Sequence, residues 1–329
     1  MTESLKGKVA IVTGSGQGIG KGIAVYLARQ GVKVITNNRK PGATFLSKYK
    51  KEDMPEEDWK QMVSLAGDAE GTAELIKAEG GEASPFYGDL SDWASAEKAV
   101  KFAVDTYGSI DILVNNAAGS GSGSITNLNK ETWDYLTRGR LDAAFNMMHF
   151  AVPHMIKNGF GRILNASSEA WTGLVDNDAY STSTAGIVGL TWASAKELWR
   201  HGITVNCFCP QGASPAHAVE YNAMLRNVKN ITGKDPDPNL LKVVENNHGD
   251  PIGIGPVIAF LCSKEASYIS SNVFAIYASG IVKLFSNPAV IAQISKNDGL
   301  WNLEELEVAF RENLMGKDYV SPASISMWG

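Results

Sequence analysis

The chain has 329 residues, of which 44% are hydrophobic and 20% charged, with a formal net charge of −5. That composition is ordinary for a globular protein, and the lack of any basic excess argues against nucleic acid or an anionic membrane surface as partner. No apolar run approaches the ~20 residues needed to cross a bilayer, and Cys207, Cys209 and Cys262 are an odd number with no C-x-x-C spacing, which predicts buried thiols in a reducing compartment.

In chain order, strand-like apolar runs fall near 8–13, 32–37, 84–88, 110–115, 161–166, 203–208 and 272–278. The first begins too early to leave room for a signal peptide, so a cytoplasmic location is expected. Helical patterns fill the gaps, at 19–30, 69–79, 130–157, 180–200 and 254–263 among others. Strand–helix alternation predicts an α/β protein with a Rossmann-like, doubly wound parallel sheet of seven strands, forming one domain over 1–280. In such sheets ligands bind beyond the carboxyl ends of the strands, so chemistry belongs in the loops that follow them.

Three segments interrupt this rhythm. Residues 41–67 mix charge with Phe45, Tyr49 and Trp59 and are expected to form a folded surface insertion. Residues 211–250 are long, polar and irregular, the pattern of a lid over a site, with His217 and Tyr221 as candidate substrate contacts. Residues 281–329 form a C-terminal extension with an amphipathic stretch around Leu303–Leu314.

The strongest single feature is Thr13-Gly14-Ser15-Gly16-Gln17-Gly18-Ile19-Gly20, directly after the strand-like Val9-Ala10-Ile11-Val12. A strand that turns through glycines into a helix brings free N–H groups and a helix dipole to a pyrophosphate. The context of strand, glycine turn, amphipathic helix and second strand is the one a dinucleotide site requires.

Three further signatures follow in order: Asp89-Leu90 after the third strand, Asn115-Asn116-Ala117-Ala118 after the fourth, and Ser168 with Tyr180 around the fifth. Together with the glycine loop these resemble the short-chain dehydrogenase/reductase superfamily over residues 5–280. The insertion and the extension are similar to a subgroup related to the (3R)-hydroxyacyl-CoA dehydrogenase unit of multifunctional enzymes. The resemblance implies that Gly14, Ser15, Gln17, Gly18, Ile19 and Gly20 hold the dinucleotide. It places Asn38 and Arg39 at the adenosine ribose, Asp89 and Leu90 at adenine, and Asn116 and Ala117 beside the ribose. Tyr180 becomes the general acid/base and a coenzyme contact, and Ser168 the holder of the substrate oxygen. Pro210 opens the nicotinamide loop, with Ser214 in place of that loop's usual threonine and Gln211 where Gly or Arg is usual.

Two positions depart from the pattern. The family's Tyr-x-x-x-Lys reads Tyr180-Ser181-Thr182-Ser183-Thr184, and its helix asparagine is Arg140, just before Leu141. A free tyrosine has a pKa of about 10, so relaying a proton near neutrality needs a neighbouring cation that favours the phenolate. Thr184 is neutral and short. Arg140, whose guanidinium stays charged in proteins, is the candidate replacement. The competing readings are drift at both positions after loss of catalysis, and a local offset that makes Arg138 the relevant arginine.

The second strand ends in Asn37-Asn38-Arg39-Lys40 with no acid, which favours NADP over NAD through Arg39, while Gln17 leans toward NAD. Coenzyme binding that is weakened or lost is the alternative. His149, His154, His201, His217 and His248 lack ligand spacing, and no metal is expected. Met147, Met148 and Met155 read as core or interface filling, and Trp171 as a pocket wall or packing residue. The resemblance therefore implies an NAD(P)-dependent oxidoreductase acting on a carbonyl or secondary alcohol, of acyl-CoA type, with an atypical active site. A non-catalytic subunit beside an active homologue and a repurposed non-redox enzyme are the alternatives. The long helices near 130–157 and 180–200 are where the resemblance places a homo- or hetero-oligomer interface.

Overall fold

A computed structural model describes residues 3–42, 50–119, 121–215, 233–234, 242, 249–296 and 301–316. The chain divides into two compact units, Met1–Phe285 and Ser286–Gly329. Most of the expected lid, with His217 and Tyr221, lies outside the described residues, as do Phe45 and Tyr49.

The first unit is built on strands β1 (Val9–Val12), β2 (Lys33–Asn38), β3 (Ala83–Tyr87), β4 (Ile112–Asn115), β5 (Gly161–Ala166), β6 (Ile203–Gln211), β7 (Val273–Tyr277) and β8 (Val282–Leu284). They form one sheet in the order β3-β2-β1-β4-β5-β6-β7-β8. The first seven are parallel; β8 runs antiparallel to β7. The seven expected strands thus become eight, and part of the presumed extension belongs to the sheet. Gly280, at φ +94°, turns the chain back after β7. The added strand is three exposed residues, too short and too solvated to show a burial period.

Successive residues of a strand point to opposite faces, and both faces of this sheet are covered. Ala10 and Val12 join the core formed with α1 (Gly18–Arg29) and α7 (Gly255–Cys262), whereas Val9 and Ile11 join the core under α4 (Trp93–Tyr107), α5 (Lys130–Asn158) and α6 (Asp178–Leu198). Local chemistry fixes the helix ends. The Asp92 carboxylate accepts from Ser95 N and the Asn129 amide oxygen from Thr132 N, while Gly108 and Gly159 close α4 and α5 in the left-handed region at φ +83° and +63°. Within the insertion, α2 (Glu56–Leu65) forms with Met62 fully buried, and α3 (Ala69–Ala78) follows it, capped by Asp68. In the second unit, α8 (Leu303–Ala309) starts with a reciprocal capping box between Asn302 and Glu305.

The three thiols are buried and form no disulfide. Burial raises Cys207, with its Cys209 neighbour adding to the shift, and pushes Cys262 up to about 12. Such thiols are inert in the native state, so a thiol reagent near neutral pH is expected to label none of them before unfolding. The folded chain keeps the Cys262 proton over a range where the unfolded chain loses it. Stability is therefore expected to fall as pH rises from about 9 toward about 12. Urea unfolding midpoints across that range check this, with a Cys262→Ala variant showing a flatter decline.

Candidate active site

At the carboxyl end of β1 the chain enters the glycine turn. Gly14 and Gly18 have φ of +62° and +51°, a region side chains disfavour. A Cβ on Gly14 would stand 2.9 Å from Ala117 Cα, and one on Gly20 would stand 2.4 Å from Gly14 O and 2.5 Å from Asn116 Nδ2. The loops after β1 and β4 are thus packed backbone to backbone. Thr13 Oγ1 accepts from Asn116 N and Ala117 N, both at 2.9 Å, and Asn116 Nδ2 donates to Thr13 O at 3.1 Å. Ser15 is fully buried, and its hydroxyl accepts from Asn37 N at 2.9 Å. Asn116 and Ser15 therefore use their side chains to hold the turn. Gln17 stands at the start of α1 without a side-chain cap, and Ile19 packs on the core. A helix start with no side-chain cap, approached by a Cβ-free cradle, fits a pyrophosphate.

Around this cradle Ser214 Cβ and Pro215 Cδ come within 3.1 and 3.6 Å of a Cβ built on Gly18, so the segment beyond β6 faces the glycine turn. Pro210 lies on β6, paired with Ile276. Arg39 does not extend alone into solvent. Its Nε lies 3.6 Å from Asp89 Oδ2 and its guanidinium 5.4 Å from the Tyr135 ring centre. Asp89 also accepts from Ser91 N and Oγ, and Leu90 is buried.

At the end of β5 the two serines divide. Ser167 is buried and donates to Thr184 O at 2.9 Å, whereas Ser168 is half-buried and opens the short turn Glu169–Thr172. Tyr180 lies in the first turn of α6, half-buried. Thr184 is fully buried, and its hydroxyl donates to the carbonyls of Tyr180 and Ser181, both at 3.0 Å. That hydroxyl is spent on its own helix.

Arg140 enters from α5 with only 5% of its surface exposed. Its guanidinium carbon lies 5.1 Å from the Tyr180 ring centre, and Nη1 donates to Ala166 O at 3.1 Å. Among the described residues no carboxylate lies within 4.0 Å of it. Arg162, the other buried arginine among the described residues, is satisfied differently: it donates to the carbonyls of Gly161, Gly202 and Ser263. A buried cation without a counter-charge is costly, and here the π-face of Tyr180 is the group set against it. Arg138 points outward and pairs with Asp142 at 3.5 Å. The inward arginine is thus Arg140.

Trp171 stands edge-on to Trp192 and Phe285, with ring centres at 6.3 and 5.4 Å. Met147, Met148 and Met155 are core. One cluster escaped the sequence reading. Glu169 Oε2 accepts from Tyr277 OH at 2.8 Å and from Gln211 Nε2 at 3.4 Å, and Lys283 Nζ donates to Tyr277 OH at 2.6 Å. It ties the turn after Ser168 to the ends of β6 and β7 and to β8. The unusual Gln211 was its one legible sign.

The profile of the short chain dehydrogenase family matches residues 8–57 and 52–226. The chain is 29% identical over 282 residues to (2S)-[(R)-hydroxy(phenyl)methyl]succinyl-CoA dehydrogenase subunit BbsD of Thauera aromatica, covering 86% of this chain and 99% of that protein. It is 29% identical over 333 residues to hydroxyacyl-CoA dehydrogenase ChsB1 of Mycobacterium tuberculosis, covering 96% and 92%. A crystal structure of a short chain dehydrogenase from Mycobacterium avium superposes with a TM-score of 0.72 at 28% identity, covering 94% of this chain and 95% of that one. Sequence profile, relatives matched along nearly their whole length and backbone geometry converge: this chain belongs to the short-chain dehydrogenase family and carries its NAD(P)-linked oxidoreductase fold.

Proposed function

We propose that the chain is an active NAD(P)-dependent oxidoreductase for a carbonyl or secondary alcohol, in which Arg140 does the electrostatic work of the absent lysine. The observation that carries this is the buried guanidinium 5.1 Å from the Tyr180 ring, without a carboxylate partner among the described residues. When bound, the coenzyme supplies or accepts the hydride. In the reducing direction Tyr180 gives its phenolic proton to the carbonyl oxygen, which Ser168 holds, and the resulting phenolate lies beside a permanent cation. A fixed positive charge in a poorly screened setting stabilises negative charge that develops beside it. Arginine keeps its protons, so Arg140 stabilises charge but relays nothing.

An acyl-CoA thioester is the proposed substrate class, supported by two relatives whose names carry CoA substrates. The proposed compartment is the cytoplasm. The proposed assembly is an oligomer through the long helices α5 and α6, supported by the exposed Phe145 and Ile156 on α5.

A second reading, a non-catalytic subunit, draws on the spent Thr184 hydroxyl and on a relative that is itself named a subunit. The test is titration of the purified chain with NADH and NADPH by nicotinamide fluorescence, followed by turnover assays on 3-oxoacyl-CoA thioesters and cyclic ketones. Binding with coenzyme oxidation is expected. Binding without turnover, converted to turnover by Thr184→Lys, would establish the second reading instead.

A further inference from the structure

Asn38 ends β2, where NAD-selective relatives place the acid that grips the ribose 2′-hydroxyl. The insertion brings another acid to this place. A Cβ built on Gly16 would stand 1.9 Å from Asn38 Oδ1 and 2.6 Å from Asp68 Cα, and one on Gly67 would stand 2.5 Å from Gly16 O. The Gly67-Asp68 backbone therefore rests on the middle of the glycine turn, against the end of β2. Two bonds anchor it. Thr36 Oγ1 donates to Ala69 O at 2.7 Å, and Tyr87 OH donates to Asp68 Oδ2 at 3.3 Å. Burial raises the Tyr87 phenol, and the Asp68 and Glu70 charges add to that, so Tyr87 remains a donor.

We infer that Asp68, delivered by the insertion, replaces the missing β2 acid and makes the site selective for NAD. The inference rests on the dinucleotide reading above and deepens it. Asp68 Oδ1 accepts from Gly71 N at 3.0 Å, while among the described residues Oδ2 has two long contacts, to Tyr87 OH at 3.3 Å and Gly42 N at 3.4 Å. A carboxylate has about four lone-pair sites, so one remains for a ribose hydroxyl. The same charge repels a 2′-phosphate, and the Gly67-Asp68 backbone occupies space beside Gly16. The cation that would have welcomed the phosphate, Arg39, is turned to Asp89 and Tyr135.

The test is equilibrium titration of the full chain with NADH and with NADPH, read as nicotinamide fluorescence and independent of turnover. The wild type is expected to bind NADH at least ~10-fold more tightly than NADPH. Asp68→Asn keeps the helix cap, because Asn caps as well as Asp, and is expected to shrink that ratio to within about 3-fold. Adding Asn38→Asp to Asp68→Asn is expected to restore it, which separates lost charge from lost structure. Equal or tighter NADPH binding by the wild type overturns the inference while leaving the dinucleotide reading intact, as does an unchanged ratio in Asp68→Asn. Failure of both coenzymes to bind overturns both.

Discussion

Replacing Arg140 with asparagine, the residue that the family resemblance expects there, is expected to lower kcat by about 10²–10³ while leaving a folded protein. The reason is charge. The guanidinium lies against the Tyr180 ring in a setting only 5% exposed, where water screens little. Asparagine is polar but carries no charge. Arg140→Lys is expected to keep part of the rate, since the charge survives and the fixed guanidinium hydrogen-bond geometry does not. The sharper test is the double variant. In the wild-type background, Thr184→Lys would add a second buried cation near the first, which is unfavourable, so the single variant is expected to lose stability and activity. Combined with Arg140→Asn, the same change rebuilds the family's own pair, and activity is expected to return. Compensation of this kind is a coupling that drift does not produce. An Arg140→Asn enzyme with unchanged kcat would remove the charge-swap mechanism.

Much of this arrangement was legible because it follows from periodicity. The glycine turn and the strands on either side of it needed only alternation, spacing and the rule that sites lie beyond strand ends, whereas Ser168 and Tyr180 were singled out by the family resemblance. The choice between Arg138 and Arg140 was harder. Residues two apart on a helix point to nearly opposite sides, so a small offset decides between a solvated ion pair and a buried cation. The neighbours of Arg39 were hidden for another reason. Register between β2 and β3 pairs Asn38 with Tyr87, which brings Arg39 level with Gly88 and next to Asp89. Their ion pair joins residues fifty apart in the chain and depends on two strands becoming neighbours. Asp68 was hidden likewise, since an insertion's far end carries no local sign of where it docks. The strand β8 was missed because three exposed residues offer no pattern.

The glycine turn makes the other large prediction, because two opposed effects meet at Gly20. Glycine inside a helix ordinarily costs 0.5–1 kcal/mol relative to alanine, roughly, through backbone entropy. Gly71→Ala in α3 should show the gain, since its Cβ would meet only Asp68 Oδ1, at 3.5 Å. Gly20→Ala should reverse it. The added carbon would stand 2.4 Å from Gly14 O, a backbone atom, and 2.5 Å from an amide nitrogen that is itself bonded to Thr13 O and Gly14 O. Neither neighbour is the free end of a flexible side chain, so the turn itself must shift. Overpacking of this kind costs about 1–3 kcal/mol, enough to outweigh the helix gain and lower Tm by roughly 3–10 °C. The displaced atoms are those of the proposed pyrophosphate cradle, so NADH affinity is expected to fall by at least ~100-fold, more than the stability loss alone explains. Calorimetry and coenzyme titration on the same samples check both. A Gly20→Ala chain that gains stability and keeps its NADH affinity would mean that the turn relaxes freely, and that its close packing does not serve the dinucleotide.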